Sequence, residues 1–469
     1  MQRSDWSSAI ATAEAFLEQG GSDWRVSLNL AVCACRARRG NETSSLIHVE
    51  QALQLSNYHT VARLGAAEVY LCLGLWEQVL SLLGNLPDPQ PWLSFQMRAE
   101  ALGRLGEASK GLQLLESWPQ DRRMWQWRMA VADVYVQARD FRSAEAEYRS
   151  VLAERPLQAE AHINLALALL SQQRCAEAWP HYEWRLTNPR LDSRGIPKHL
   201  PSLQELTNQH VVLLGEQGIG DQIMASRYIS VLADACQSLS VIPAPRLEKL
   251  LRRNSPKEVS IGAQTEQPND VIMIGMASLP MLFWDAVGLG LPQRTGYLKA
   301  DSQKILEWRT RLNMLPPGPK IGIAWLGGMT GAERRERALS KEDLMQLKKW
   351  PGVHWIDLQY LNSDHEHLSD LGRQAGLHRL GEPGVDVDDT LALIECLDSV
   401  LTTRQTVAHM TGALGKQGQV LVPARPEWRY WGDNNRWAWY PTMQLIHQEH
   451  KGDWRSPLWM ASCYWKAKT

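Results

Sequence analysis

Residues 211–221 read Val211-Val212-Leu213-Leu214-Gly215-Glu216-Gln217-Gly218-Ile219-Gly220-Asp221, and this stretch decides the fold of the second half of the chain. Its four apolar residues predict a buried parallel strand, and the sequence that follows predicts a helix over Gln222–Cys236. A strand, a glycine turn and a helix in this order point backbone N–H groups and a helix dipole at a ligand. The order G-x-x-G-x-G-D is neither the dinucleotide fingerprint nor the phosphate loop that ends in Gly-Lys-Ser/Thr. We therefore expect a ligand-binding turn at Gly215, Gly218 and Gly220.

Strand and helix patterns alternate on both sides of a proline-rich break at Pro316–Pro319. Before the break, the most apolar window, Val271–Leu291, predicts a buried strand and a helix rather than a membrane span, because Pro, Asp and three Gly interrupt it. After the break, strand patterns lie at residues 321–325, 353–358, 400–403 and 419–422, and a helix pattern lies at 405–414. This alternation predicts two doubly wound lobes, residues 210–318 and 319–469, with a cleft between them.

The first 190 residues carry a helical repeat instead. Small and aromatic residues recur about 34 positions apart, namely Ala132, Tyr135, Ala144, Tyr148 and Pro156, followed by Ala166, Leu169, Ala178, Tyr182 and Pro189. Small residues let two helices approach closely, and the aromatic rings fill the space beside them. We expect about five helix pairs stacked in a solenoid over residues 1–190, with a concave face for a peptide or protein. A spacer or a dimerisation arm is the alternative. Residues 191–209 predict a linker.

The composition narrows the class of protein. With 50 Lys+Arg against 51 Asp+Glu, bulk attraction to nucleic acid is not expected. The seven Cys lie without CxxC pairs, and no signal peptide or transmembrane segment is recognisable, so we expect reduced thiols and a cytoplasmic protein. The nearest candidate for a metal site is Asp364-His365-Glu366-His367, whose i, i+2 side chains diverge on a helix. No metal site is predicted.

Taken together, the motifs resemble those of bacterial proteins that join tetratricopeptide repeats to a glycosyltransferase domain similar to the heptosyltransferases, called glycosyltransferase family nine. The resemblance covers nearly the whole chain. The residues that carry it are Ala178-Trp179, Tyr182–Arg185, Gly215–Ile223, Arg227-Tyr228, Tyr297-Leu298, Asp301, Trp325, Gly327, Arg337, Gln359, Asp389-Thr390, His409, Gly412–Gly415, Pro423, Pro426–Arg429 and Trp439–Pro441.

This resemblance implies an α + α/β chain in which a TPR-like helical solenoid precedes a GT-B domain. That domain has two Rossmann-like lobes, the acceptor binding mainly in the first and the nucleotide-sugar in the second. It also implies sugar transfer without a bound metal or cofactor. We expect the last segment of the chain to cross back over the cleft. Seven of the 21 Trp lie in this region, residues 428–465, and Trp431 and Trp437 are candidates for stacking on a sugar or base.

The site residues follow from the same resemblance. Asp221 is the candidate base that deprotonates the acceptor hydroxyl, or alternatively an N-cap of its helix. The donor phosphates are assigned to Arg337, Arg404, Gln405, Thr406, His409 and Gly412, with Arg334 and Arg335 in the same loop as Arg337. The nucleoside is assigned to Gln359, Asp389 and Thr390. Two alternatives stay open: a buried helix histidine bonded to backbone for His409, and a helix cap for Asp389.

One segment departs from the family. Where the family reads Val-Asp-Thr-Ala-Val-Ala-His, this sequence has Thr403-Arg404-Gln405-Thr406-Val407-Ala408-His409. An acid that faces the donor sugar is thus replaced by Arg404. Either Arg404 binds phosphate and changes the sugar preference, or the donor site is lost and the domain only binds. The turn Gly415-Lys416-Gln417-Gly418 also departs from the family's Gly-Lys-Pro.

The leading hypothesis is a glycosyltransferase that moves a sugar from a nucleotide-sugar to a glycan, lipid-linked or protein acceptor. Its repeats would recruit the acceptor or a protein partner. A second hypothesis is a non-catalytic TPR scaffold with a degenerate GT-B domain. A third is a protein O-glycosyltransferase, by analogy of layout with the O-linked N-acetylglucosamine transferase.

Overall fold

The computed structural model describes residues 3–36, 42–187, 196, 200–262, 271–284, 296–327, 336–361, 366–425 and 427–466. The chain divides into two compact units, one ending at Leu191 and one formed by Asp192–Gly328 and Glu336–Thr469. Several residues named above lie outside the described ranges, namely Pro189, Arg334, Arg335, Asp364, His365 and Pro426. Among the described residues, no helix is long and apolar enough to cross a membrane.

The N-terminal unit is helical throughout its described part. Its α-helices are α1 (Arg3–Glu18), α2 (Trp24–Arg36), α3 (Glu42–Leu55), α4 (Thr60–Leu73), α5 (Trp76–Gly84), α6 (Trp92–Leu105), α7 (Ala108–Glu116), α8 (Trp125–Gln137), α9 (Phe141–Glu154), α10 (Ala159–Ser171) and α11 (Cys175–Tyr182). Short 3-10 turns lie at Gln120–Arg122 and Glu183–Thr187. Within the described ranges, α2 to α11 pack as five consecutive pairs, as the 34-residue period predicts.

The repeat residues explain how these helices pack. Ala132, Ala144, Ala166 and Ala178 are fully buried, so neighbouring helices approach at the positions where the sequence repeats a small residue. Gly74 ends α4 with φ 75°, and its amide bonds to a carbonyl of the last turn. A residue with a Cβ rarely adopts this left-handed backbone, so glycine is the natural stop signal there.

A polar network lies between three of these helices. The Tyr148 hydroxyl on α9 donates to Asp133 Oδ1 on α8 at 2.6 Å, and Asn164 Nδ2 on α10 donates to the same oxygen at 3.4 Å. Burial raises the pKa of Asp133 to about 7, aided by the nearby Glu100 and Glu160 and opposed by the bond from Tyr148. Below about pH 7 the folded unit therefore favours a protonated Asp133.

We predict that Asp133→Asn makes the repeat unit less sensitive to pH. Between the ordinary carboxyl pKa of 3.8 and about 7, the folded chain holds a proton that the unfolded chain has lost, so stability falls as the pH rises. The stability of the variant relative to the unchanged chain should therefore rise between about pH 5 and about pH 8. Unfolding followed by far-ultraviolet circular dichroism measures this, with the exposed Asp121→Asn as control. Equal pH slopes for all three proteins would contradict it.

The second unit contains two sheets. The first has the order β3-β2-β1-β4 and is parallel throughout, with β1 (His210–Leu214), β2 (Ser238–Ile242), β3 (Ser260–Ile261) and β4 (Ile272–Gly275). Val211 to Leu214 are at most 5% exposed, which fits an apolar run covered on both faces of a parallel sheet. The turn at Gly215–Gly218 follows the carboxyl end of β1, where ligands bind in open α/β sheets.

The second sheet has the order β6-β5-β7-β8-β10-β9. Its strands are β5 (Lys320–Ala324), β6 (His354–Asp357), β7 (Ser399–Thr403), β8 (Gly418–Val422), β9 (Arg436–Trp437) and β10 (Tyr440–His447). Among the strands in the described ranges of this sheet, the edge strand β9 alone runs antiparallel to its neighbour. The strand order reverses between β5 and β7, so a crevice is expected outside their carboxyl ends. Leu326 and Arg404 lie at these two ends.

The helices of this unit connect and cover the sheets. They are α12 (Leu203–Leu206), α13 (Ile219–Ala225), α14 (Ile229–Ala235), α15 (Glu248–Asn254), α16 (Leu279–Leu282), α17 (Ser302–Leu312), α18 (Lys341–Gln346), α19 (Glu366–Gln374), α20 (Val387–Glu395), α21 (Thr406–Ala413) and α22 (Arg455–Lys466). Short 3-10 segments are Ser226–Tyr228, Pro245–Leu247, Met276–Ser278, Leu347–Lys349 and Asp433–Asn435. A helical solenoid followed by two Rossmann-like lobes is thus the fold, and the predicted fold class is confirmed.

Some predicted boundaries differ from the structure. The helix after the glycine turn begins at Ile219, three residues before the predicted start, and it is interrupted by the 3-10 segment Ser226–Tyr228. The predicted linker contains α12, where Ser202 and Glu205 form a reciprocal capping box and Leu206 is fully buried. Helix α17, which the prediction assigned to the first lobe, packs against α20 of the second lobe.

The end of the chain also differs from the expectation. Helix α22 packs on the second sheet, where Trp454, Leu458 and Ala461 join the core of that lobe. The contacts back to the first lobe come instead from residues 427–440: Arg429 pairs with Asp221, and the Trp439 carbonyl accepts a bond from Arg227. These contacts are therefore made by the segment that leads into β10, which includes β9, rather than by the final helix.

Candidate functional site

The two lobes of the second unit meet where α13 packs against α21. Each helix begins just after the carboxyl end of a strand, β1 for α13 and β7 for α21. A Cβ placed on Gly220 would lie 2.8 Å from Cδ2 of His409, so only glycine permits this approach of the turn to the α21 side chain. The predicted glycine turn and the predicted phosphate-binding helix are thus in contact.

Asp221 lies in the first turn of α13 and faces the second lobe. Its Oδ2 accepts a hydrogen bond from the Gly218 amide at 3.2 Å, and Gly218 is the N-cap. The alternative interpretation of Asp221 as the N-cap is therefore wrong, although its carboxylate does bond back to the cap residue. Its Oδ1 lies 2.6 Å from Nε of Arg429, and about a quarter of the side chain stays exposed.

Glu427 connects Arg429 to two further arginines. Its Oε1 lies 3.0 Å from Arg337 and 3.1 Å from Arg404, and its Oε2 lies 3.3 Å from Arg429. Three guanidinium groups and the carboxylates of Glu427 and Asp221 carry a net charge of 3 − 2 = +1. Burial acts to raise the pKa of Glu427, but the charges of Arg404, Arg429 and Arg337 outweigh it and hold that pKa below its ordinary value.

The residues before α21 place Arg404 in this cluster. Arg404 follows β7 directly, is 5% exposed, and its guanidinium carbon lies 5.8 Å from the centre of the Tyr430 ring. Gln405 is the N-cap of α21 but makes no side-chain cap bond; its Nε2 donates to Thr403 Oγ1 at 3.4 Å. Thr406 is the first residue of the helix and is half-buried.

His409 is buried on the second turn of α21. Its ring contacts Trp437, Tyr440 and Tyr430 edge-to-face, with centroids 5.2, 5.7 and 6.2 Å away. Its Nδ1 lies 3.2 Å from the Tyr440 hydroxyl, so its partner is a side chain and not the backbone. Burial lowers the pKa of His409 to about 4, although Asp221 acts to raise it. The imidazole is therefore neutral near pH 7.

Four predicted site residues are engaged elsewhere. Gly412 lies under the Tyr440 ring, which a Cβ would overlap, so it serves packing. The Gln359 Oε1 accepts from the amides of Trp325 and Leu326. Asp389 accepts from Trp308 Nε1, and Thr390 Oγ1 bonds to the Gly384 amide and the Asp386 carbonyl.

Two further interpretations are corrected. Asp386, not Asp389, is the N-cap of α20, because its side chain accepts from the amides of Asp388 and Asp389. Trp437 is fully buried, and its Nε1 donates to the Arg429 carbonyl at 2.6 Å, so no ring face is left for stacking on a sugar.

Trp431, the other residue predicted to stack on a sugar or base, is half-buried. Within the described ranges, no cluster of three metal-binding side chains occurs.

Sequence reasoning missed the roles of Glu427, Arg429 and Tyr440. All three stand in quoted motifs, but none was assigned a function. Arg404 carried a usable signal, because an arginine that replaces an acid in a buried site requires a new carboxylate partner. Glu427 is that partner, and it stands next to Trp428 with Arg429 on the other side.

Comparisons with known proteins find similarity to parts of the chain. Residues 130–183 match the family model of the tetratricopeptide repeat, the range that holds α9 to α11 and most of α8. The chain is 27% identical to Protein FlbA of Caulobacter vibrioides over 317 residues, which cover 62% of this chain and 52% of that protein. The chain thus spans about half the length of the curated relative it matches.

Three solved structures are similar to parts of the chain. The glycosyl transferase family 9 of Veillonella parvula has a TM-score of 0.35 at 10% identity, covering 56% of this chain and 92% of that one. The E. coli ADP-heptose lps heptosyltransferase II has a TM-score of 0.36 at 12% identity, and the match covers 55% of this chain and 98% of that one. A mutant O-GlcNAc transferase of Thermobaculum terrenum has a TM-score of 0.30 at 12% identity, and the match covers 85% of this chain and 83% of that one.

We predict that Gly412→Ala destabilises the second unit. The added methyl group must displace the Tyr440 ring, and overpacking of this kind costs about 1–3 kcal/mol. The matched control is Gly372→Ala in α19, where the new Cβ meets its neighbours at an ordinary 3.5 Å and helix propensity gains up to about 1 kcal/mol. Denaturant unfolding compares the two variants, and equal midpoints would show that Gly412 is not required for packing.

Proposed function

We propose that the second unit binds a nucleotide-sugar between its lobes and transfers the sugar to an acceptor hydroxyl. One observation carries this proposal: the candidate base Asp221 and the arginine cluster belong to opposite lobes and are joined by Arg429. A base for the acceptor and positive charge for the leaving diphosphate are the two groups that such a transfer needs.

Asp221 suits the role of base by its position. A general base must lie within hydrogen-bond reach of the hydroxyl that it deprotonates, and the partly exposed carboxylate of Asp221 offers that reach at the lobe boundary. Arg429 holds one of its oxygens, so the acceptor hydroxyl would bind to a carboxylate of fixed orientation. The first lobe would then bind the acceptor, a glycan, a lipid-linked sugar or a protein.

The arginine cluster suits a diphosphate. Arg337 and Arg404 are buried beside the amino end of α21, where the helix dipole also favours negative charge. Charge-assisted bonds from guanidinium groups to phosphate are strong and directional. The net charge of +1 in the cluster would attract the donor, and no step of this transfer requires a metal or a cofactor.

A non-catalytic scaffold is the second candidate, and one observation favours it. Glu427 already contacts all three arginines, as expected of a charge cluster that serves structure alone. In that case the repeats would bind a protein partner and the α/β unit would not turn over a donor. If the unit is active, the repeats would recruit the acceptor, which includes the case of a protein O-glycosyltransferase.

We predict that Asp221→Asn abolishes sugar transfer without weakening donor binding, because a base acts on the acceptor and loss of its carboxylate leaves the cluster more positive. Release of nucleoside diphosphate from UDP-, GDP- and ADP-sugars measures transfer, and calorimetry measures affinity. The control is Asp234→Asn, an exposed carboxylate on α14 of the same lobe. Unchanged turnover in Asp221→Asn would remove this residue from the mechanism.

We predict that Arg404→Gln weakens binding of a nucleoside diphosphate about ten- to hundred-fold, the worth of one charge-assisted hydrogen bond. Calorimetric titration with UDP, GDP, ADP and inorganic pyrophosphate tests it. Arg373→Gln, which removes an exposed ion pair with Asp370 on α19, should bind as the unchanged chain does. If no nucleotide or pyrophosphate binds the unchanged chain, the scaffold is the better proposal.

A further inference from the structure

Three buried or half-buried side chains form a hydrogen-bonded row beside the proposed site. The Tyr297 hydroxyl donates to the Ile223 carbonyl at 2.9 Å. Its oxygen lies 3.4 Å from the Tyr440 hydroxyl, which in turn lies 3.2 Å from Nδ1 of His409. The row runs from α13 of the first lobe to α21 of the second.

The protons of this row can be assigned by chemistry. A carbonyl only accepts, so the single proton of Tyr297 is used on Ile223 and its oxygen can only accept from Tyr440. Tyr440 also has one proton, and two acceptors compete for it. An imidazole nitrogen is a far better base than a phenol oxygen, and Nδ1 of His409 is also the nearer of the two. The Tyr440 proton therefore belongs to the bond with His409.

The packing around Tyr440 keeps its hydroxyl in place. Gly412 leaves room for the ring directly above α21, and Trp437 contacts the ring edge-to-face at 4.7 Å. The guanidinium carbon of Arg227 lies 5.1 Å from the ring centre of Tyr440 and 5.0 Å from that of Tyr297. Tyr440 is only 2% exposed, so water does not compete for its proton.

The other nitrogen of His409 faces the first lobe. A Cβ on Gly220 would lie 2.8 Å from Cδ2 of His409 and 3.3 Å from its Nε2. The Cδ2–Nε2 edge of the imidazole ring therefore lies on the glycine turn next to Asp221. Within the described ranges, Nε2 has no hydrogen-bond partner although the side chain is 4% exposed. A neutral imidazole carries one proton, and when Nδ1 accepts, that proton is on Nε2.

We infer that Tyr440 is a positioning residue that fixes the proton of His409 on Nε2 and so directs a neutral hydrogen-bond donor at a phosphate oxygen of the donor between the lobes. The identity of that acceptor rests on the proposed function; the position of the proton does not. A neutral donor strengthens its bond as charge grows on the leaving diphosphate and leaves the charge of the cluster unchanged.

The first test reads the proton directly in the unliganded full chain. Nitrogen-15 labelled histidine shows by NMR which ring nitrogen carries the proton, and His409→Gln identifies the signal of His409 among the 13 His. We expect Nε2–H in the unchanged chain and in Tyr297→Phe, which keeps the bond from Tyr440. We expect a mixture of tautomers in Tyr440→Phe, which keeps the packed ring. Finding Nδ1–H in the unchanged chain, or no change in Tyr440→Phe, overturns the inference.

The second test measures the effect on binding. Tyr440→Phe should weaken binding of inorganic pyrophosphate or of the nucleoside diphosphate about two- to ten-fold, the worth of one neutral hydrogen bond, while Tyr297→Phe binds as the unchanged chain does. If the Nε2 tautomer is observed but neither probe binds the unchanged chain, the proposed function fails and the role of Tyr440 in fixing the proton stands. Equal binding by Tyr440→Phe in a chain that does bind would overturn the assigned acceptor.

Discussion

Arg429 lies between Asp221 of the first lobe and Glu427 of the second, and this guanidinium is the charged link on which the site depends. Its position orients the candidate base and joins it to the arginines at the end of β7. Partly buried charges of this kind are costly to separate, because removal of one partner leaves the others without compensation. A second ion pair, between Arg253 on α15 and Asp388 on α20, joins the same two lobes. The two lobes are therefore held by charge as well as by apolar packing.

Close backbone approach is the other requirement. Gly220 lets the turn of the first lobe reach His409, and Gly412 lets the last strand place Tyr440 over α21. A side chain at either position would separate groups that now lie within hydrogen-bond distance. The aromatic residues of the chain end fill the space around this contact: Trp437 and Tyr440 are at most 2% exposed, and both pack on His409. Trp437, one of the tryptophans near the end of the chain, thus serves packing beside the site rather than ligand binding.

Much of this fold could be predicted from sequence, because the determining signals are local. The apolar run before Gly215 forms a strand that is buried on both faces, and the small residues spaced by 34 positions mark helix contacts. The site could be predicted only in part. Glu427 and Arg429 meet Arg337 and Asp221 across about 90 and 210 positions, and no local pattern reports such pairs. Capping was ambiguous for a similar reason: Asp386, Asp388 and Asp389 are three acids at the start of one helix, and only the backbone geometry decides that Asp386 is the cap.

Arg404 is best understood through its partner rather than as an isolated loss. With an acid in place of Arg404, Arg337 and Arg429 would face the carboxylates of residue 404, Glu427 and Asp221, a net charge of 2 − 3 = −1. With Arg404 the same groups sum to 3 − 2 = +1. A negative cluster would need another source of positive charge to hold a diphosphate, whereas the positive one attracts it. Glu427 contacts Arg404 at 3.1 Å, so the charge of Arg404 is met by a defined ion pair. The positive charge that Arg404 adds to this cluster therefore supports the proposed diphosphate site over a decayed one.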